Sequence, residues 1–322
     1  MSDQRDGGIA WTDQTWNPVR GCSRVSSGCT RCYAETMAAR FIGPGQPYEG
    51  LARRTDDGEP RWTGSVRMVP EHLGDPVRWR RPRRIFVNSM SDLFHERLNF
   101  EDIASVFGVM AAAPQHIFQV LTKRPERMLE WFKGADDAQL LLDRMAFRAR
   151  HLDWDVVLGA VPPLAAWPLP NVHLGVSVED QRTADERIPL LLQCPAAVRW
   201  ISAEPLLEAV DLAPALGGHG YTNTSSLKLD SVVIGGESGK DARPFDIDWA
   251  RRIILQCRES GTKVFMKQLG SEPRWDGCAT ARYPGPPVKA VDVGGAWKPL
   301  TKDRKGGDPM EWPEDLRVRE LP

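Results

Sequence analysis

The sequence predicts an α/β fold: a partial (β/α)6–7 TIM-like barrel of parallel strands with a Cys loop after the first strand. Three observations predict it. About seven short apolar runs recur, most followed by a helical pattern, which argues for a parallel sheet buried on both faces. Polar residues gather at the carboxyl ends of these runs, the face that holds the active site in a parallel barrel. A cluster of three Cys follows the first run and so opens onto the same end. A doubly wound open sheet is the alternative arrangement of the same units.

In chain order, a short strand precedes Cys22, and residues 33–41 after Cys32 form a helix. Residues 41–83 are rich in Gly, Pro and Arg and read as a loop over the barrel. A strand at 84–88 leads to a helix near 100–113, and a strand at 116–122 to a helix near 125–132. Residues 133–170, with a helix at 138–150, read as an insertion and rigid connector. The strand at 171–177 leads to a helix near 183–192. Further strands lie at 198–202, 231–235 and 262–267, with a helix at 248–259. The barrel thus spans residues 1–270. A Gly/Pro-rich extension, 271–322, packs on it. The polar strand ends are Asn88, Ser89, Ser91 and Asp92; Thr122, Lys123 and Arg124; Ser177 and Glu179; Ser202 and Glu204; Gly235, Gly236, Glu237 and Ser238; and Lys267 and Gln268. Alternation along the strand directs Lys123 into the barrel mouth and Arg124 outward or toward the following helix.

Composition narrows the class. The chain has 322 residues, 41% hydrophobic and 26% charged, which excludes global disorder. No apolar run is long enough to span a membrane, and no signal peptide is visible, so the expected location is cytoplasmic. Lys plus Arg number 42 against 43 acidic residues, so the overall charge demands no nucleic-acid partner. Six Cys in such a chain do not make a disulfide scaffold. Three of them, Cys22, Cys29 and Cys32, fall in a C-x6-C-x2-C pattern beside Gly21 and Gly28, whose backbones allow tight turns. Thiolates are soft ligands that select zinc or iron–sulfur iron. Three ligands leave one iron of a four-iron cluster open to a small molecule. A zinc site completed by a distant residue such as His95 or Cys278 is the other reading. Cys194 and Cys257 read as core residues.

These motifs carry two resemblances. Residues 9–18 with the three-Cys run, Phe86–His95 (FVNSMSDLFH), residues 119–127 (QVLTKRPER), 174–180, 202–207, 234–238 and 305–317 look like the phage Gp37/Gp68 family, a domain of unknown function. That resemblance covers nearly the whole chain. The order of motifs is also similar to the spore-photoproduct-lyase-like branch of radical S-adenosylmethionine (SAM) enzymes. Asn17-Pro18 with Cys22, Cys32-Tyr33-Ala34, Ser91-Asp92, Thr122-Lys123 and Ser177 follow that branch's order. Two features depart from it: the first Cys gap is six rather than three, and Arg31 stands before the third Cys where an aromatic is usual.

The second resemblance implies that Cys22, Cys29 and Cys32 hold a [4Fe–4S] cluster and that SAM binds its open iron, yielding a 5′-deoxyadenosyl radical. It implies SAM contacts from Ser91, Asp92, Lys123 and Ser177. Gly235 and Gly236 are expected to permit close backbone approach of a ligand, and Glu204 and Glu237 to serve as acid/base or substrate-orienting groups. A flavodoxin- or ferredoxin-like reductant protein is an expected partner. The run Arg78-Trp79-Arg80-Arg81-Pro82-Arg83-Arg84 reads either as a nucleic-acid grip or as a solvated lead-in to the next strand. The competing class is a zinc- or iron–sulfur-bearing module without catalysis, serving a partner protein.

Overall fold

The computed structural model describes residues 9–134, 167–217, 227–275, 290–292, 297–299 and 301–321. The expected helix at 138–150, most of the 133–170 insertion and Cys278 lie outside them. The protein is mixed α/β, with a seven-stranded parallel sheet. Its strands are β1 (Gln14–Trp16), β2 (Arg84–Val87), β3 (Ile117–Thr122), β4 (Val172–Val178), β5 (Val198–Ala203), β6 (Ser231–Gly235) and β7 (Lys263–Gln268). They are ordered β1 to β7 across the sheet, as in the sequence. The order never reverses, so the doubly wound alternative, which needs a reversal, is excluded. The chain divides into two compact units: Met1–Val176 with Gln193–Val198, and Ser177–Leu192 with Arg199–Pro322.

In the first unit, register sets the two faces of the sheet. Ile85, Phe118 and Val172 align in one row, and Val87, Val120 and Leu174 in the next row on that face. Phe86, Gln119 and His173 align on the other face, which therefore carries buried polar groups. The labelled helices here are α1 (Tyr33–Ala38), α2 (Phe100–Ala112) and α3 (Pro125–Lys133). Asn99 caps α2, its side chain accepting from Asp102 N at 2.7 Å. Pro125 opens α3, where a missing N–H costs nothing. Residues 41–83 are more structured than a loop. They contain a hairpin of Ala52–Arg54 with Pro60–Trp62 and two helical turns, Pro70–Leu73 and Asp75–Arg78, each opened by a Pro.

In the second unit, Ile201, Val232 and Val264 share one face of β5–β7, and Ser202, Val233 and Phe265 the other. A bulge after Ile234 brings Gly235 opposite Gln268. The two long helices are α4 (Gln181–Gln193) and α5 (Ile247–Ser260). Asp246 caps α5, and Gly261 ends it at φ 68°. The tail covers the free edge of β7: Met266 N donates to Val318 O at 2.8 Å and Glu320 N to Val264 O at 3.0 Å. This pairing removes an exposed strand edge. Trp312 anchors the tail, 1% exposed, with Nε1 donating to Gly306 O at 2.8 Å. Trp312→Ala should therefore lower unfolding free energy by about 3–5 kcal/mol in urea titrations, as for a buried aromatic deletion. A loss under about 1 kcal/mol would mean the tail is not part of the folded unit.

Candidate functional site

The three-Cys loop starts where the backbone must turn left-handed. Gly21 has φ 90°, and a Cβ there would lie 2.2 Å from Ser65 O, so only Gly fits. Gly28 needs no such freedom; it lies in the 3-10 turn Ser27–Cys29. Gly21 pairs with Ser91 in a parallel bridge, and Ser91 Oγ donates to Val19 O at 2.9 Å. Cys32 is the residue before α1, which ends at Ala38, earlier than expected. Cys22 and Cys32 pack against a small core of Ala34, Ala38, Ala52 and Trp62. Glu35, 1% exposed, ties this region together. It accepts from Arg24 Nη2 at 2.5 Å and from Trp62 N at 3.1 Å.

The strand ends of β2 and β3 hold the loop from the other side. Asp92 is 5% exposed and accepts four hydrogen bonds: Phe94 N at 3.0 Å, Thr122 Oγ1 at 2.7 Å, Lys123 N at 3.1 Å and Arg124 Nη1 at 3.0 Å. A carboxylate has about four acceptor positions, so all are filled. The Ser91 hydroxyl donates to Val19 O and keeps its acceptor lone pairs.

The expected direction of Arg124 is overturned. It is 7% exposed and points to the Cys loop. Besides Asp92, it donates to Glu96 Oε2 at 2.7 Å, Ser23 O at 3.1 Å and Ser23 Oγ at 2.7 Å, and Nη1 lies 3.9 Å from Cys22 Sγ. Arg124 has φ −124° and ψ 62°, so the chain has left the strand and the alternation rule no longer applies. Lys123 is half-buried beside it. His95, wholly buried, completes the cluster: Arg97 N donates to Nδ1 at 3.2 Å, which puts the neutral ring's proton on Nε2, 2.9 Å from Ser23 Oγ.

The electrostatics follow from this packing. Burial pushes the Cys22 thiol up to about 12, with Asp92 adding to the rise and Arg124 opposing it. Burial also raises Cys32, against the pull of the Glu35 and Ala34 N–H groups. The charge of Cys29 adds a further rise to both. Burial lowers His95, and the Arg124 charge lowers it further. Burial would raise Glu96, but its own backbone N–H and the Arg124 guanidinium outweigh it and hold the carboxyl at about 2. Three free thiols are the right donor type for iron or zinc. Among the described residues no three His, Cys, Asp or Glu side chains stand close enough to share one ion, so the sulfurs would have to draw together around it.

The second unit contains the other candidate residues. Ser177 is buried, and its carbonyl accepts from Arg187 Nη1 at 2.8 Å. Arg187 also pairs with the fully buried Glu179 at 3.0 Å. Glu204 forms a short ion pair with Lys267, with Ser202 Oγ 3.4 Å away. Glu237 is gripped by Arg243, through its N at 2.8 Å, Nε at 3.0 Å and Nη2 at 2.6 Å. Both glycines have close neighbours within the protein. A Cβ on Gly235 would lie 3.2 Å from the Glu204 carboxyl, and one on Gly236 would lie 2.3 Å from Leu269 O.

The Arg-rich run lies before β2, at the opposite end of that strand from the Cys loop. Arg78 pairs with Asp75 at 3.3 Å and Arg84 with Asp13 at 3.5 Å. Arg83 covers the Trp79 ring at 5.1 Å, and His116 meets it edge-on. Sequence reasoning missed Arg124, Arg187, Arg243 and Glu35 as organising groups. An Arg within a few residues of a strand end bearing an acidic partner was the available signal.

With this geometry in hand, the chain can be placed by comparison. Residues 6–305 match the model of a protein family of unknown function, DUF5131, and the chain belongs to that family. Neither the curated proteins nor the solved structures provide a match. No helix among the described residues is long and apolar enough to cross a membrane.

Arg124→Ala should cost about 3–5 kcal/mol in chemical denaturation, because it strands the Asp92 carboxylate without its partner. The same variant should move Glu96 back toward the usual carboxylate range in NMR titration. In the native protein Glu96 is depressed, so its stabilisation is complete above its unfolded value and is lost as pH falls through about 2. An unchanged Glu96 titration in the variant would contradict the Arg124 assignment.

Proposed function

We propose that the protein is a radical SAM enzyme in which Cys22, Cys29 and Cys32 hold a [4Fe–4S] cluster. In this reading the sheet forms a partial TIM-like barrel with the Cys loop after β1. The observation that supports it most is the loop itself: three free thiols within eleven residues, the third at the start of α1. When bound, such a cluster with SAM supplies a 5′-deoxyadenosyl radical for hydrogen abstraction. The chain's own residues do the rest. The α1 N–H groups of Ala34 and Glu35 favour the Cys32 thiolate. Arg124 offsets negative charge at Cys22 and fixes Ser23 beside it. Lys123 is the residue assigned to the SAM carboxylate, and Ser177 to a SAM hydroxyl. Glu204 with Lys267 is the pair suited to proton transfer, whereas the Arg243 grip suits Glu237 to holding its strand end.

The zinc alternative takes a distant residue such as His95 or Cys278 as completing ligand. Both His95 nitrogens are engaged by Ser23 and Arg97, which speaks against His95 in that role, and Cys278 lies outside the described residues. A nucleic-acid substrate, a flavodoxin- or ferredoxin-like reductant and a protein partner remain part of the proposal, resting on the resemblances alone. The raised Cys22 thiol must lose a proton to bind metal, so loading should strengthen as pH rises through the neutral range.

Anaerobic reconstitution should give about four irons per chain, as a cubane cluster requires. Each of Cys22→Ala, Cys29→Ala and Cys32→Ala should abolish this, and Cys194→Ala and Cys257→Ala should not. Dithionite and SAM should then release 5′-deoxyadenosine. One tightly bound zinc with no reconstitutable iron would overturn the reading. Lys123→Ala should keep its iron and weaken SAM binding by about 1.5–3 kcal/mol, as for a charge-assisted hydrogen bond. Unchanged affinity with a lowered melting temperature would assign Lys123 a structural role instead.

A further inference from the structure

Among the described residues six large hydrophobic side chains are exposed, and four of them lie in one short stretch. They are Val25, Tyr33, Met37 and Phe41, between 40% and 56% exposed. Scattered singly, such residues need no explanation; gathered beside one another, they mark a surface that another molecule covers. Tyr33 and Met37 stand four residues apart on α1 and so are neighbours on one face. Two turns, closed by Arg40 N to Met37 O at 3.2 Å and Phe41 N to Ala38 O at 2.9 Å, carry the chain on to Phe41. Val25 follows Arg24, whose Nε donates to Glu35 Oε1 at 3.0 Å, so the Cys loop is tied to the same helix.

The other face of α1 already anchors it. Ala34, Glu35 and Ala38 are buried, the two alanines against Ala52 and Trp62. Tyr33 Oη donates to Ser89 O at 2.5 Å, which fixes the exposed ring in place. An apolar side chain held in this way loses little freedom when a partner covers it. The stretch also carries charge of one sign. Arg31 and Arg40 are exposed. From Cys22 to Ile42 the one acidic residue is Glu35, which is buried and paired with Arg24. The exposed side is therefore built from Tyr, Phe, Met, Val and Arg without a carboxylate. Aromatic residues, Met and Arg are enriched in protein interfaces, and Asp and Glu are depleted. The complement of such a surface is a protein with acidic groups around an apolar centre.

We propose that Val25, Tyr33, Met37 and Phe41, with Arg31 and Arg40, form the docking surface for an acidic electron-carrier protein of the flavodoxin or ferredoxin type. The carrier's acidic groups meet the two arginines, and its apolar centre covers the four hydrophobic side chains. Cys29 and Cys32 lie between Val25 and Tyr33 in the chain, so a carrier seated here stands beside the thiols. The inference rests on the radical reading only for the carrier's role: it is oxidised by one electron, and the metal group held by the thiols is reduced by one. The aliphatic Val25 and Met37 favour protein over single-stranded nucleic acid, which stacks its bases on aromatic rings.

Calorimetry of the full chain against purified flavodoxin and a plant-type ferredoxin tests this, on iron-free and reconstituted protein. At least one carrier should bind, and more weakly as salt is raised. Met37→Ser with Phe41→Ser, and Arg31→Glu with Arg40→Glu, should each weaken binding by about 10-fold or more. Both double variants should keep the native circular dichroism, because the substituted side chains are exposed. Arg80→Glu with Arg81→Glu makes the same charge change before β2, at the opposite end of that strand from the Cys loop. It should alter affinity by less than about 3-fold, since distant charges are screened. No binding of either carrier, or equal losses from the two arginine pairs, overturns the proposal. So does binding of an oligothymidylate in place of the carriers, lost in the Met37 and Phe41 variant, which would assign the surface to nucleic acid. Iron and 5′-deoxyadenosine measured on the same samples separate this from the radical reading. Iron loading and dithionite-driven SAM cleavage without docking remove only the docking surface. Docking that depends on Arg31 and Met37 in a protein that takes no iron removes only the radical chemistry.

Discussion

The first unit depends on one buried guanidinium. Arg124 joins the end of β3, the Asp92 carboxylate after β2, and Ser23 in the Cys loop. A charge at 7% exposure is tolerated only with its donors matched, and here Asp92, Glu96 and Ser23 match them. The three segments are therefore fixed relative to one another. The loop that carries the thiols is a rigid consequence of that ion pair together with the Gly21 turn.

A second buried charge supports the same loop from the opposite side. Glu35 on α1 binds Arg24 from the loop and Trp62 N from the hairpin at 52–62. The segment between Cys32 and β2 thus forms a floor for the loop. The Cys22 and Cys32 side chains pack on that floor, and burial there raises both thiols above the usual range.

The second unit repeats the device with different partners. Glu179, Glu204 and Glu237 each stand after a strand and each meets a cation: Arg187, Lys267 and Arg243. The pairs differ in their use. Glu179 is fully buried and Glu237 nearly so, and each is bonded to its arginine, which suits them to holding the strand ends. Glu204 shares its carboxylate with a lysine, a partner that can itself exchange a proton.

Much of the architecture was legible in the sequence because it rests on local periodicity. The six strands from 84 onward and the helices at 100–112 and 247–260 appear within a residue or two of where apolar patterning puts them. The three-Cys motif was legible because ligand spacing is a short-range property. What the sequence left open depends on contacts between distant segments. It could not say that Asp92 is saturated by Thr122, Lys123 and Arg124, since that needs β2 and β3 side by side. It directed Arg124 outward or toward the following helix, which failed because alternation holds only while the backbone stays extended. Nor could it say that Gly235 and Gly236 lie against Glu204 and Leu269. The sequence by itself determined the order of strands and helices and the close spacing of the three Cys. Only the tertiary structure decided which polar groups satisfy one another, because burial and hydrogen-bond matching are set by chain segments far apart in sequence.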